Sequence, residues 1–455
     1  MMTPSNPNNG AMMRPLRIGM VGAGTVGGGV YEIVMGRLQE RARQGKRPLW
    51  ITKICVKDLS KPRSFHLDDS ITSLTTHIEN IINDPDIDLV IEVMGGTDLA
   101  KEVVEGALKN YKMVVTANKE LISEHLDELE TLLERTSHRS KKSIPVGFGY
   151  EAAVCGGIPI IQTLQTCYSG DVIHKIQGIV NGTTNYILSK MEKGADYETA
   201  LVEAQEFGYA DQDPSADVEG YDVRAKICLL AKLAFGVTVP PSEVPCKGIT
   251  ELSSVDFEYA KLLGCTIKLL GTAQRLHEAR EWDGPLCVFV SPVMIPVHKT
   301  LAGISKNGNA VAVTSSNTGT CCYTGPGGGR FPTANSIVAD LVRLANGQAS
   351  PAPFPLQSQL DLDFDYEGSF YIRIPYADGL GIIKRVGELA EEAGVSIHSI
   401  LQNPIRDRMS ADFVVTTEEA KVSQIQSLCE AINDQHDFCR APCIYMPMLV
   451  DEQEL

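Results

Sequence analysis

Gly22-Ala23-Gly24-Thr25-Val26-Gly27 lies between an apolar run, Arg17 to Val21, and a segment with helical spacing. A bare G-x-G-x-x-G also serves simple chain reversal, but a strand before it and a helix after it make it the dinucleotide-binding turn. Gly22 allows the tight turn, Gly24 lets backbone approach a pyrophosphate, and Gly27 permits close helix–strand packing. The helix N-terminus offers free N–H groups and positive dipole to the phosphates. Ala23, Thr25 and Val26 complete the cradle.

The alternation of short strands and longer helices continues beyond this loop. Trp50 to Val56, Leu89 to Val93, Met113 to Thr116 and Ser143 to Val146 read as strands; Leu99 to Lys109 and Ile122 to Arg135 read as helices. This pattern predicts an α/β domain over residues 16–149, Rossmann-type, with a doubly wound parallel sheet. The second strand ends at Val56-Lys57-Asp58. Asp58 suits ribose hydroxyls, whereas Lys57, with Lys61 and Arg63 nearby, suits a 2′-phosphate, so NAD and NADP both stay open.

Later regions read differently. Residues 150–347 are mixed α+β, a catalytic and dimerisation domain with a long helix expected from Val218 to Phe235. The helical segment after Pro332 is expected to pack back on the first domain. Residues 348–368, with Pro351, Pro353 and Pro355, read as a linker. Residues 369–450 read strand (Phe370 to Pro375), helix (Ile382 to Ala393), strand (Ser396 to Gln402), strand (Ser410 to Thr416), helix (Glu418 to Ile432), strand (Ala441 to Met446). That βαββαβ order is the ferredoxin-like arrangement. Residues 1–15 read as a disordered tail.

Composition removes whole classes of function. A formal net charge of −16 argues against a broad nucleic-acid or anionic-membrane footprint. No apolar run approaches the roughly 20 residues needed to cross a bilayer. The twelve Cys are scattered without a C-x-x-C pair, which reads as reduced thiols in a cytoplasmic protein. The nine His form no metal pattern. Cys155 suggests a nucleophilic thiol, but no placed His partner accompanies it, and it reads as a small buried residue.

Six separated blocks in one order resemble homoserine dehydrogenase from about Arg17 to the C-terminus. They are the Gly22 to Gly27 loop, Val114 to Lys119, Tyr150 to Pro159, Gly178 to Leu188, Gly208 to Lys226, and Gly325-Pro326-Gly327-Gly328-Gly329 with Pro332-Thr333-Ala334. The resemblance implies reversible reduction of aspartate 4-semialdehyde to L-homoserine by a nicotinamide cofactor, in threonine, methionine and isoleucine biosynthesis. No aspartokinase segment is expected before it.

The same resemblance implies roles for particular residues. Lys226 becomes the proton donor and acceptor, and Asp222, four residues earlier on the same helical face, binds substrate; the spacing alone would also suit an ordinary ion pair. Lys119, just after the expected strand Met113 to Thr116, meets cofactor and substrate. Thr97, Thr116, Asn118, Gly325 and Gly327 line the cofactor; Gly208, Tyr209, Asn181 and Thr183 line the substrate. Asp211 and Asp217 face its ammonium group, although Asp211 stands where the family usually carries Glu, and Asp217 suits a helix cap equally well. Glu151 with backbone at Val154, Gly156 and Ile158 matches a monovalent-cation loop, expected to hold Na⁺.

The last region resembles an ACT domain, a small-ligand sensor. Asp378-Gly379-Leu380-Gly381 stands at its ligand turn, with Leu380 replacing the usual Pro, and Gln402 lies on the following strand. Feedback inhibition by threonine and a homodimer or homotetramer follow as expectations. Two alternatives remain: an aspartate-semialdehyde dehydrogenase, for which no nucleophilic Cys or phosphate site can be placed, and an inactive amino-acid sensor, which should have lost Lys119 or Lys226.

Overall fold

The computed structural model describes residues 14–37, 40, 44, 46–139, 146–276, 284–348, 353–404, 407 and 411–449. Most of the expected N-terminal tail, residues 143–145 of the expected fifth strand, Pro351 of the linker and Ser410 fall outside the described residues. The chain divides into two units. One runs to Thr166 and takes in Gly328–Leu356; the other comprises Cys167–Gly327 and the chain from Gln357 onward.

In the first unit six strands pair in parallel: β1 (Leu16–Val21), β2 (Leu49–Cys55), β3 (Ser73–Thr75), β4 (Leu89–Glu92), β5 (Met113–Thr116) and β6 (Phe148–Gly149). Their order is β3-β2-β1-β4-β5-β6, reversing between β1 and β4. All four residues of β4 and of β5 are buried, as strands covered on both faces require. The covering helices are α1 (Thr25–Gly36), α2 (Glu79–Ile82), α3 (Asp98–Lys109), α4 (Lys119–Glu124), α5 (Leu126–Arg139) and α6 (Ile160–Cys167).

Helix α3 shows how sequence fixes this layer. Ala100, Val103, Val104, Ala107 and Leu108 recur at helical spacing and are all buried. Each Val or Leu contributes roughly 1.5–3 kcal/mol by leaving water. The single helix expected over Ile122 to Arg135 is instead two, because His125 leaves helical geometry at φ −121° and closes α4. The unit is completed by α12 (Arg330–Ala345). A Cβ on Gly29 would lie 2.8 Å from the Arg330 carbonyl oxygen, so glycine there lets α12 seat against α1.

The second unit is built on one long sheet. Its strands are β7 (Ile173–Ile179), β8 (Cys265–Arg275), β9 (Leu286–Pro296), β10 (Gly308–Ser315), β11 (Gly319–Pro326), β12 (Glu367–Tyr376), β13 (Ile397–Gln402), β14 (Ala411–Thr417), β15 (Ala420–Lys421) and β16 (Ile444–Met448). The order is β11-β10-β7-β8-β9-β16-β12-β14-β13, with β15 paired to β12 off this path. Packed with it are α7 (Gly182–Met191), α8 (Tyr197–Glu206), α9 (Ser215–Val218), α10 (Tyr221–Phe235), α11 (Ser254–Leu262), α13 (Ile382–Glu392) and α14 (Val422–Asn433).

The helix expected from Val218 to Phe235 breaks at Gly220, which sits at φ +83° between α9 and α10. Helix α10 ends at Gly236, also left-handed at φ +71°. The last segment, β12-α13-β13-β14-α14-β16, has the βαββαβ order. It extends the sheet through a parallel pair, Met448 on β16 with Met294 on β9. Helix α14 starts at Val422 rather than Glu418 because Ala420 and Lys421 pair with Gly368 and Glu367 on β12. All twelve Cys are free thiols, and no described helix is long and apolar enough to cross a membrane.

Candidate active site

In the first unit the candidate site is made of backbone. Gly22 follows β1 at φ +104°, and a Cβ there would lie 2.5 Å from the Val93 carbonyl oxygen. A Cβ on Gly27 would lie 2.4 Å from the Gly22 oxygen, whereas one on Gly24 would meet nothing within 4 Å. Gly22 and Gly27 therefore serve the fold, and Gly24 keeps a space clear. Gly24 is also the N-cap of α1, with no side-chain cap and no acidic residue in the first turn. Ala23, Thr25 and Val26 share this turn. An uncapped N-terminus beside open space suits a diphosphate.

Two more loops leave the same carboxyl edge. Thr97 is the N-cap of α3, and Asn118 caps α4 by accepting the Leu121 N–H at 3.0 Å. Asn118 also donates to the Gly96 carbonyl at 2.7 Å, tying the two loops together. Lys119 opens α4 and lies 3.6 Å from Glu120. The Thr116 hydroxyl donates at 2.6 Å to Glu92, a carboxylate fully buried at the end of β4, and Glu92 also takes the Met94 N–H at 2.9 Å. Burial raises the Glu92 pKa. Sequence reasoning missed Glu92; an acidic residue closing an apolar strand was the available signal. Lys57 stands exposed beyond β2, and Asp58 turns back to bond the Ser60 hydroxyl at 2.7 Å.

The Glu151 loop lies wholly in this unit. Both carboxylate oxygens of Glu151 accept N–H groups at the start of α6, from Ile161 at 2.9 Å and Gln162 at 2.8 Å. Its own N–H donates to the buried Asp340 at 2.9 Å. Burial pushes the Glu151 carboxyl up to about 7, against the two backbone N–H bonds and the Arg343 charge, which favour its ionised form. Val154, Gly156 and Ile158 follow around Cys155, which is buried at φ +50°. The Gly156 carbonyl accepts the Ser336 hydroxyl and the Ile158 carbonyl accepts the Ile160 N–H at 2.8 Å; a buried carboxylate beside this all-oxygen backbone has the donor chemistry of a hard monovalent cation.

In the second unit side chains make the site. Asn181 is the N-cap of α7, its side-chain Oδ1 accepting the Thr184 N–H at 2.8 Å. Its amide nitrogen donates to Asp217 at 2.6 Å and to Asp222 at 2.8 Å. Lys226, one turn along α10, donates to Asp222 at 2.6 Å and to the Val180 carbonyl at 2.7 Å. Burial, then the Asp222 charge, raises the Asp217 pKa. Asp217 thus faces Asn181 and caps no helix. Thr183 donates to the Tyr209 carbonyl at 2.7 Å. Gly208 turns the chain at φ +70°, and the Tyr209 ring leans on Tyr186 at 5.0 Å.

The structure therefore gathers Asn181, Thr183, Asp217, Asp222 and Lys226. Asp211 is apart from them: it is exposed, and its carboxylate contacts no described residue. Gly325 and Gly327 lie at and just beyond the end of β11; Gly325 pairs with Asn309, and a Cβ on Gly327 would overlap the Asn309 side chain. In the last segment Asp378, Gly379 and Leu380 form an exposed turn before α13, whose N-cap Gly381 is left-handed at φ +85°. Gln402 donates to the Tyr376 hydroxyl.

This arrangement has close relatives. The family described as homoserine dehydrogenase matches residues 159–342, and the homoserine dehydrogenase NAD-binding domain matches residues 22–141. A homoserine dehydrogenase from Bacillus subtilis is 38% identical over 93% of this chain and 96% of its own length. The chain belongs to the homoserine dehydrogenase family. A homoserine dehydrogenase from Neisseria gonorrhoeae is 36% identical over 92% of this chain and 95% of its own. The crystal structure of a homoserine dehydrogenase from Thiobacillus denitrificans, 29% identical, superposes with a TM-score of 0.85 over 96% of this chain and 98% of that one. The chain is accordingly an NAD(P)-dependent oxidoreductase acting on a small molecule.

Proposed function

We propose that the enzyme interconverts L-homoserine and L-aspartate 4-semialdehyde, with Lys226 giving and taking the proton at the reacting oxygen. One observation carries this reading: Lys226 Nζ is held at 2.6 Å by Asp222 and at 2.7 Å by the Val180 carbonyl, at the start of a buried helix. Bound NAD(P) supplies the hydride acceptor or donor. Lys226 keeps one N–H direction for substrate, since two of its three are used by protein oxygens. Asp222 keeps the ammonium oriented as the substrate oxygen gains or loses its proton. Asp217 and Thr183 receive the substrate ammonium and backbone polar groups, beside Gly208 and Tyr209; Asp211 takes a peripheral part.

On the cofactor side, the Gly22–Gly27 turn takes the diphosphate. Thr97, Thr116, Asn118 and Lys119 line the nicotinamide end, Gly325 and Gly327 give backbone contact, and Lys57 takes the 2′-phosphate where NADP is used. Glu151 and the carbonyls of Val154, Gly156 and Ile158 would hold Na⁺. The βαββαβ segment is an ACT domain in which Asp378, Gly379, Leu380 and Gln402 take threonine, the distant product of the same biosynthesis. The enzyme works in the cytoplasm as a homodimer or homotetramer.

The test is homoserine-dependent reduction of NAD⁺ and of NADP⁺ by wild type and Lys226→Ala. Turnover in the wild type with a loss of about 10²–10⁴ in the variant is the expected result. Undiminished turnover in Lys226→Ala removes the assignment. A preference for NADP⁺ that Lys57→Ala abolishes assigns the phosphate contact.

A further inference from the structure

The second unit contains a cavity of about 610 Å³ that lies away from Asn181, Asp222 and Lys226. Its wall joins β9 of the sheet to α14 and β16 of the last segment. Lys247 reaches into it, with Nζ 3.1 Å from the centre of the Tyr445 ring and 3.5 Å from the Tyr445 carbonyl oxygen. Lys247 forms no ion pair with any described residue. Glu251 acts on it only through space, and an ammonium held on an aromatic face without a directly bonded carboxylate can receive an anion. Burial weakens its hold on its proton, lowering it to about 8, which a bound anion would reverse.

The opposite charge lines the same cavity. Asp363 spends one carboxylate oxygen on the Asp365 N–H at 2.9 Å, and the other accepts from no described residue. Asp365, also in the wall, has its carboxylate oxygens taken by the Ser423 N–H at 2.8 Å and hydroxyl at 2.9 Å, and the apolar part of the wall is the Phe289 and Tyr366 rings, stacked at 4.2 Å. We infer that this cavity binds a small L-α-amino acid with an apolar side chain, its carboxylate on Lys247, its ammonium on Asp363 and its side chain against the Phe289–Tyr366 wall. The site is separate from the Asp378–Gly381 turn.

The cavity wall also touches the substrate turn. Pro245 and Lys247 bond to Val290 on β9, both at 2.9 Å. On its other side the same segment meets residues 218–220: the Cys246 thiol donates to the Glu219 carbonyl at 3.3 Å, and the Ile249 N–H to Val218 at 2.8 Å. Those residues connect Asp217 to Asp222. A ligand that moves residues 245–249 therefore moves the turn between two carboxylates of the candidate site, and it changes the affinity for homoserine.

Calorimetric titration of the full-length protein tests binding without any turnover, so its outcome is independent of the assigned reaction. The probes are L-valine and L-methionine, with isovalerate and isobutylamine as the two halves of valine. Saturable binding of L-valine or L-methionine, weakened about tenfold or more by Lys247→Met and by Asp363→Asn but not by Asp378→Ala, is the expected result. Asp363 is exposed, so its variant reports on the site even where Lys247→Met folds poorly. Absence of saturable binding by both amino acids overturns the site, and so does binding that survives both variants. Isovalerate binding as tightly as L-valine overturns the amino-acid assignment. The coupling is read as a change in the KM for homoserine at saturating L-valine, lost in Lys247→Met; an unchanged wild-type KM overturns it.

Discussion

The nucleotide turn and the Lys226 cluster both handle charge, by opposite means. At Gly22–Gly27 no side chain contributes: the turn presents N–H groups at an uncapped helix, and glycine keeps a space clear. At Asn181, Asp217, Asp222 and Lys226 everything depends on side chains fixed to within 2.6–2.8 Å by one another. A backbone site is specified by spacing and can be damaged only by adding atoms. A side-chain site is specified by tertiary contact and is damaged by removing them.

That contrast orders the mutations. After Lys226→Ala itself, the largest effect is expected at Asp222→Asn, which leaves Lys226 without its charged partner. kcat should fall by about 10²–10³ while cofactor affinity, measured by fluorescence titration, stays unchanged. A variant that loses cofactor and turnover together would break the division between the two regions. Next comes Gly24→Val. Its Cβ meets nothing within 4 Å, so thermal stability should hold while cofactor affinity drops by about tenfold or more. Gly27→Ala should do the reverse, destabilising by about 1–3 kcal/mol because its Cβ strikes the Gly22 oxygen. Equal stability losses in both glycine variants would show that Gly24 also serves the fold.

Legibility followed the same line. Strands β1, β2, β4 and β5 were readable to within one residue because parallel strands buried on both faces are continuous apolar runs, whereas the three-residue β3 was not read and β6 lies at Phe148–Gly149 rather than at Ser143 to Val146. The pairing of Asp222 with Lys226 was readable because both lie on one helix. The Asn181 clamp on two carboxylates was not, since Asn181 is 36 and 41 residues from its partners and only the fold brings them together. The break at Gly220 was missed because apolar periodicity runs through it, and one left-handed glycine overrides that pattern. Glu92 and Lys247 were invisible for a related reason: each matters through what buries it.

The proposed cation loop at Glu151 would mix both designs, one carboxylate with backbone carbonyls, and should show an intermediate effect. Exchanging NaCl for choline chloride at equal ionic strength should lower stability by about 1–2 kcal/mol in thermal unfolding. Glu151→Ala should remove that difference. Identical midpoints in the two salts would mean that the loop simply closes the start of α6.

The smallest effect is expected at Glu92, where a side chain supports a backbone site. Burial raises its pKa above the ordinary 4.5, so the folded protein holds this proton more tightly than the unfolded chain does. The stability it contributes is fully present below that ordinary value and is lost as pH rises through the raised one. Urea unfolding of wild type and Glu92→Gln from about pH 4 to pH 8 should therefore diverge, the wild type losing ground as pH climbs. Because Glu92 anchors Thr116 and the Met94 backbone, the variant should also weaken cofactor binding modestly, by about two- to threefold. Parallel stability curves would mean that Glu92 stays ionised in the fold, held by the donors of Thr116 and Met94. The nucleotide edge would then depend on a buried charge, and the contrast between a backbone site and a side-chain site would narrow to the loop itself.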